Sequence, residues 1–97
     1  AHRNRIDILV DFLKKLAIQA KAEGRPYRVM NLGCGPAVEI QRFLREFEEP
    51  HLLEFELIDF SQETLDYAKA RLTEAARQGS TTLQAEFVHQ SVHELIK

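Results

Sequence analysis

Residues 31–37 read NLGCGPA and place two of the chain's four glycines on either side of its only cysteine. Glycine permits positive φ and lets a ligand approach the backbone closely. If a helix starts just after Gly33 and Gly35, its first N–H groups and positive dipole end suit an anionic or polar ligand. Asp59 closes the run LEFELID at residues 53–59. A carboxylate at a strand end can accept hydrogen bonds from both hydroxyls of a ribose. Cys34 has two readings. A helix start favours thiolate, but no second cysteine is available to resolve an oxidised one, and a small filler residue serves the turn equally well. His89 and His93 have i,i+4 spacing. A predicted strand-to-helix break between them argues against a shared helical face, so no metal ligand is assigned.

The elements that must position these groups follow from the hydrophobic spacing. Over residues 5–22, Ile6, Leu9, Val10, Leu13, Leu16, Ala17 and Ala20 form one helical stripe. Asn4 is its expected cap, and Gly24 with Pro26 its stop. YRVMNL at 27–32 is a short, mainly apolar run that fits a buried strand. A helix is predicted over 37–47, with Ile40, Phe43, Leu44 and Phe47 on one face, Pro36 tolerated at its first position and Pro50 as a stop. Residues 53–59 alternate Leu53, Phe55 and Leu57 with Glu54 and Glu56, the pattern of a half-buried strand. Ser61 caps a third helix through Gln78, with Leu65, Ala68, Leu72 and Ala75 inward and Gly79 as its C-cap. A third strand is expected over 83–89, and Ser91 with Glu94 has capping-box spacing for a further turn.

Strands alternating with helices predict an α/β layer with a parallel sheet and right-handed crossovers. The expected organisation is a single unit, 1–97: a leading amphipathic helix over 1–24 and a strand-helix-strand-helix-strand core over 27–97. It is partial, with about three strands of a doubly wound sheet. Gly33 and Asp59 then fall at the ends of two successive strands, on one rim.

Composition narrows the setting. The 97 residues are 44% hydrophobic and 29% charged, ordinary for a globular chain. A net charge of -2 gives no sign of a nucleic-acid partner. A lone cysteine excludes an internal disulfide and suits a reducing, cytoplasmic setting. No apolar run approaches the roughly 20 residues that span a bilayer. The expected partners are therefore a small-molecule cofactor and an acceptor, with no membrane.

The dinucleotide fingerprint G-x-G-x-x-[G/A] fails, because its sixth position counted from Gly33 is Val38. The shorter G-x-G-x-[G/A] is met by Gly33, Gly35 and Ala37. Here VMNLGCGPA resembles motif I of the class I, Rossmann-like, S-adenosylmethionine-dependent methyltransferases. LIDFS at 57–61 resembles the acidic second-strand motif of that family, and FVHQSVHEL at 87–95 the segment after its third strand.

The resemblance implies a methyltransferase, or its N-terminal cofactor-binding portion, with S-adenosylmethionine as cofactor. It implies that Asn31, Gly33, Cys34 and Gly35 contribute the turn against the methionine part of the cofactor. Asp59 would hold the ribose hydroxyls, Phe60 the adenine face, and Ser91 with the Val92 amide the adenine edge. Asn31 stands where the family usually has an acidic residue, and Ser91 where it often has aspartate. The methyl acceptor and the catalytic residues are not implied. In the family's strand order the first strand has a further neighbour, so here its edge is expected to be uncovered and open to self-association. Two other readings remain: a nucleoside-binding module without chemistry, and the NAD(P)-binding half of an oxidoreductase.

Overall fold

Asn4 starts the first helix as its sequence neighbours require: its Oδ1 accepts the Asp7 N–H at 2.9 Å. The structure, a computed structural model, describes residues 4–33 and 35–90. Helix α1 spans Arg5–Glu23, strand β1 Tyr27–Leu32 and helix α2 Val38–Glu46. A single 3-10 turn, Pro50–Leu52, leads into strand β2, Leu53–Asp59. Helix α3, Gln62–Gln78, and strand β3, Ala85–His89, complete the described order. The helical turn expected from Ser91 lies outside the described residues.

The three strands form one sheet in the order β1-β2-β3, and both pairings are parallel. This is the α/β arrangement the sequence predicts. Side chains alternate between the two faces of each strand. The inner rows, led by Leu53, Phe55 and Leu57, join the core with Ile40, Phe43 and Leu44 of α2 and with Leu65, Ala68 and Leu72 of α3. Leu13 and Ala17 of α1 belong to the same cluster, so all three helices line one face. Phe43 anchors it: its ring lies 5.2 Å from Phe47 in a stacked pair and 6.1 Å from Phe55 edge-on. The other face carries Arg28, which pairs with Glu56 and Glu86 across all three strands, and the exposed Met30 and Leu32.

Several expectations change. β1 is not a buried strand; it alternates half-buried with exposed residues along its whole length. β2, expected to be half-buried, has five of its seven residues buried. The reason is lateral position. β2 has a strand on each side, whereas β1 is paired only with β2 among the described residues. Helix α2 begins at Val38, with Ala37 as its N-cap, so Pro36 precedes the cap and is not the first helical residue. β3 starts at Ala85, later than the spacing suggested.

Gly79 is the C-cap of α3, as expected, with an ordinary φ of -86°. The left-handed position after α3 is Ser80, at φ 54°. Ser80 N–H donates to the Arg77 carbonyl and Thr81 N–H to the Ala76 carbonyl, the bond pair of a Schellman motif.

Candidate functional site at the strand ends

The turn after β1 holds three left-handed residues at alternate positions. Gly33 has φ 68°, Gly35 φ 50° and Ala37 φ 52°. Among the described residues, and apart from the adjoining positions, nothing lies within 4 Å of where a Cβ would stand on Gly33 or Gly35. What calls for glycine at these positions is their positive φ. Ala37 explains the third small position of the pattern. It combines a left-handed backbone with 2% exposure, a combination that leaves room for no large side chain. The turn is tied down at both ends. Gly33 N–H donates to the Ile58 carbonyl at 2.8 Å, and the Gln41 side-chain amide donates to the Pro36 carbonyl at 2.6 Å.

Asp59 lies beside this turn. Leu32 and Ile58 are the last register partners of β1 and β2, so Gly33 and Asp59 each follow by one step on the same rim. Asp59 is largely covered, with 8% of the residue exposed. It ends the central strand, flanked by β1 and β3, and Ser61 N–H donates to its Oδ1 at 2.9 Å as α3 begins. Ser61 then caps α3 by accepting the Thr64 N–H at 3.2 Å. Between them stands Phe60, 76% exposed, its ring free to meet a flat apolar partner.

β3 supplies a residue that the sequence reading left without a role. His89 is the register partner of Asp59, and its Nε2 lies 2.8 Å from the Phe60 carbonyl oxygen. A carbonyl only accepts, so Nε2 carries the hydrogen. Gln90 N–H donates to the Asp59 carbonyl at 2.9 Å. The 59–61 turn is therefore held from β3 at two successive carbonyls. No local pattern announces this contact, because it joins residues 29 positions apart. The described residues contain no His, Cys, Asp and Glu grouping able to hold a metal ion.

A cleft of about 490 Å³ opens on the other side of the glycine turn. It lies between the start of α1 and the free side of β1, with Ile6, Phe12, Met30 and Leu32 among its walls. Asn31 and Gly33 reach it, whereas Asp59 and Phe60 do not. Asn31, on the inner row opposite Leu57, is half-buried. Glu39 also lines the cleft, in the first turn of α2. Its carboxylate already offsets the positive end of that helix.

The structure thus brings Asn31, Gly33, Gly35, Asp59 and Phe60 to one end of the sheet. Cys34, Ser91 and Val92 lie outside the described residues. No helix among the described residues is long and apolar enough to cross a membrane. No family model, curated protein or solved structure matches the chain.

Proposed function

We infer that the chain is the cofactor-binding portion of an S-adenosylmethionine-dependent methyltransferase. One observation carries this reading: a left-handed glycine turn closes β1 immediately beside the Asp59 carboxylate that ends β2. That pairing is the nucleoside-binding logic of parallel α/β sheets, which bind ligands beyond the carboxyl ends of the strands. The residues fit such a cofactor. No described residue beyond their neighbours crowds Gly33 or Gly35, Asp59 keeps Oδ2 clear of the bond that holds Oδ1, and Phe60 is exposed.

Asp59 would hold the ribose hydroxyls, and Phe60 would lie against the adenine. Gly33 and Gly35 would carry the backbone that meets the amino-acid end, with Asn31 beneath them. S-adenosylmethionine supplies, when bound, a methyl group already activated on a sulfonium. The work left to this chain is orientation, which can by itself lower a barrier substantially. Asp59 gains from its covered position, since a carboxylate screened from water binds hydroxyls more strongly than one in bulk solvent.

Glu39 favours this cofactor over a nicotinamide dinucleotide. A pyrophosphate seeks an uncompensated helix start, and here a carboxylate occupies the first turn of α2. A sulfonium and an ammonium are instead compatible with nearby Glu39 and Asp59. The lone cysteine fits a reducing, cytoplasmic setting.

Calorimetric titration tests the reading. S-adenosylmethionine or S-adenosylhomocysteine should release or absorb heat with a saturable isotherm, and NADH should not. Binding of NADH with no response to either adenosyl ligand at millimolar concentration would sink it.

A further inference from the structure

The hydrogen bond from His89 to Phe60 has no part in capping, in the core or in the strand ladder. It fastens the backbone carbonyl of Phe60, the most exposed residue of the 59–61 turn. Phe60 is 76% exposed, so packing does little to hold its ring. What orders the turn is polar: Ser61 N–H on Asp59 Oδ1, Gln90 N–H on the Asp59 carbonyl and His89 Nε2–H on the Phe60 carbonyl. Two of these three bonds come from the end of β3. The first holds the carboxylate from within its own turn. The other two set where Asp59 and Phe60 stand relative to the sheet.

We propose that His89 is a positioning residue for nucleoside binding, pinning the Phe60 carbonyl so that the Phe60 ring and the Asp59 carboxylate face one ligand together. The proposal rests on the nucleoside-binding reading of this rim. The imidazole acts as a donor and neither touches the ligand nor exchanges a proton with it. Both the neutral Nε2–H tautomer and the imidazolium donate from Nε2. The requirement is thus for a donor at that point, which glutamine can also meet with its side-chain amide.

The test pairs two measurements on the unsubstituted chain, H89A and H89Q. S-adenosylhomocysteine is titrated calorimetrically, and amide hydrogen exchange is followed at Ser61 and Gln90. Loss of one such bond should weaken the H89A complex by about three- to tenfold. Exchange at Ser61 and Gln90 should quicken in H89A while the β1 and β2 amides keep their rates. H89Q should return both readouts toward the unsubstituted values. Unchanged affinity and exchange in H89A would overturn the proposal, as would an H89Q that behaves like H89A. Faster exchange spread over the whole sheet would overturn it too, by making His89 a residue of general stability. Failure of the unsubstituted chain to bind S-adenosylhomocysteine would count against the nucleoside reading itself. The exchange comparison would then decide alone whether His89 orders the turn.

Discussion

Gly79 meets the backbone of Leu44 so closely that a Cβ on it would overlap the Leu44 carbonyl oxygen and stand 3.2 Å from its carbon. The end of α3 is packed against α2 at this point, and only a residue without a side chain fits. Gly79→Ala should therefore destabilise the fold by about 1–3 kcal/mol, the usual cost of overpacking against backbone that cannot yield. Ser80→Gly should act the opposite way. It relieves a left-handed backbone at φ 54°, a relief of about 1 kcal/mol, and would raise the melting temperature by roughly 4–8 °C in a domain of this size. Thermal melts of the two single variants check both signs. A similar loss from each would mean that the left-handed position had been misplaced.

Asp59 is tied to Ser61 through Oδ1, so its substitutions separate fold from binding. Asp59→Asn keeps an oxygen for the Ser61 N–H and removes the charge. It should leave the melting temperature nearly unchanged and weaken S-adenosylhomocysteine roughly tenfold or more, the worth of a charge-assisted hydrogen bond. Asp59→Ala should lose the same affinity and also destabilise the start of α3. Calorimetry and a melt on each variant distinguish these outcomes, and full affinity in Asp59→Asn would remove the carboxylate from the site.

Acid should loosen the contact between α1 and α2. Glu46 accepts hydrogen bonds from Lys14 Nζ at 2.8 Å and Arg42 Nε at 3.1 Å, and Arg42 also reaches Asp7 on α1. These donors, Lys14 foremost, hold the Glu46 carboxyl below its ordinary value of 4.5. Glu49 is lowered in the same way by Lys21. A carboxyl with a depressed pKa in the folded chain contributes stability above its unfolded value, and that contribution is lost as pH falls through the folded one. Urea midpoints should drop between pH 5 and pH 3. Glu46→Gln should lower the midpoint at pH 7 and reduce the acid-induced drop. An identical pH dependence in that variant would clear Glu46 of the effect.

The far side of β1 is unpaired among the described residues. Met30 and Leu32 are exposed there at 57% and 49%, and Arg28, the one charge on the strand, is engaged by Glu56 and Glu86 of its own sheet. Exposed apolar edges pair with other chains. Sedimentation across a concentration series should show self-association of the 97-residue chain, and Met30→Lys should shift it toward monomer. A monomer at high concentration with slow amide exchange from Val29 to Leu32 would show that the edge is protected.

Legibility tracked the range of the interaction. The caps by Asn4 and Ser61 and the left-handed stop at Gly24 use neighbours three to five positions away, and each was readable from residue type. The glycine turn and Asp59 were readable because positive φ and a strand-end carboxylate each leave a mark in the chain. The burial of Asp59 was not, since it follows from the central place of β2 between β1 and β3. Gly79 is the C-cap that its residue type suggests, but the Leu44 carbonyl that forbids a side chain there lies 35 positions back and leaves no local mark.

By itself, then, the sequence determined the order of elements, the period of each buried stripe, the local caps and the placing of Gly33 and Asp59 at successive strand ends. All of these depend on propensity and spacing over a few residues. Tertiary structure alone decided that β2 would be central and buried while β1 took the open side. It also decided that α3 would press Gly79 onto α2 and that His89 would reach the Phe60 carbonyl. These contacts arise only when the two crossovers stack their helices on one face of the sheet and bring distant segments within a few ångströms, and no local pattern encodes that arrangement.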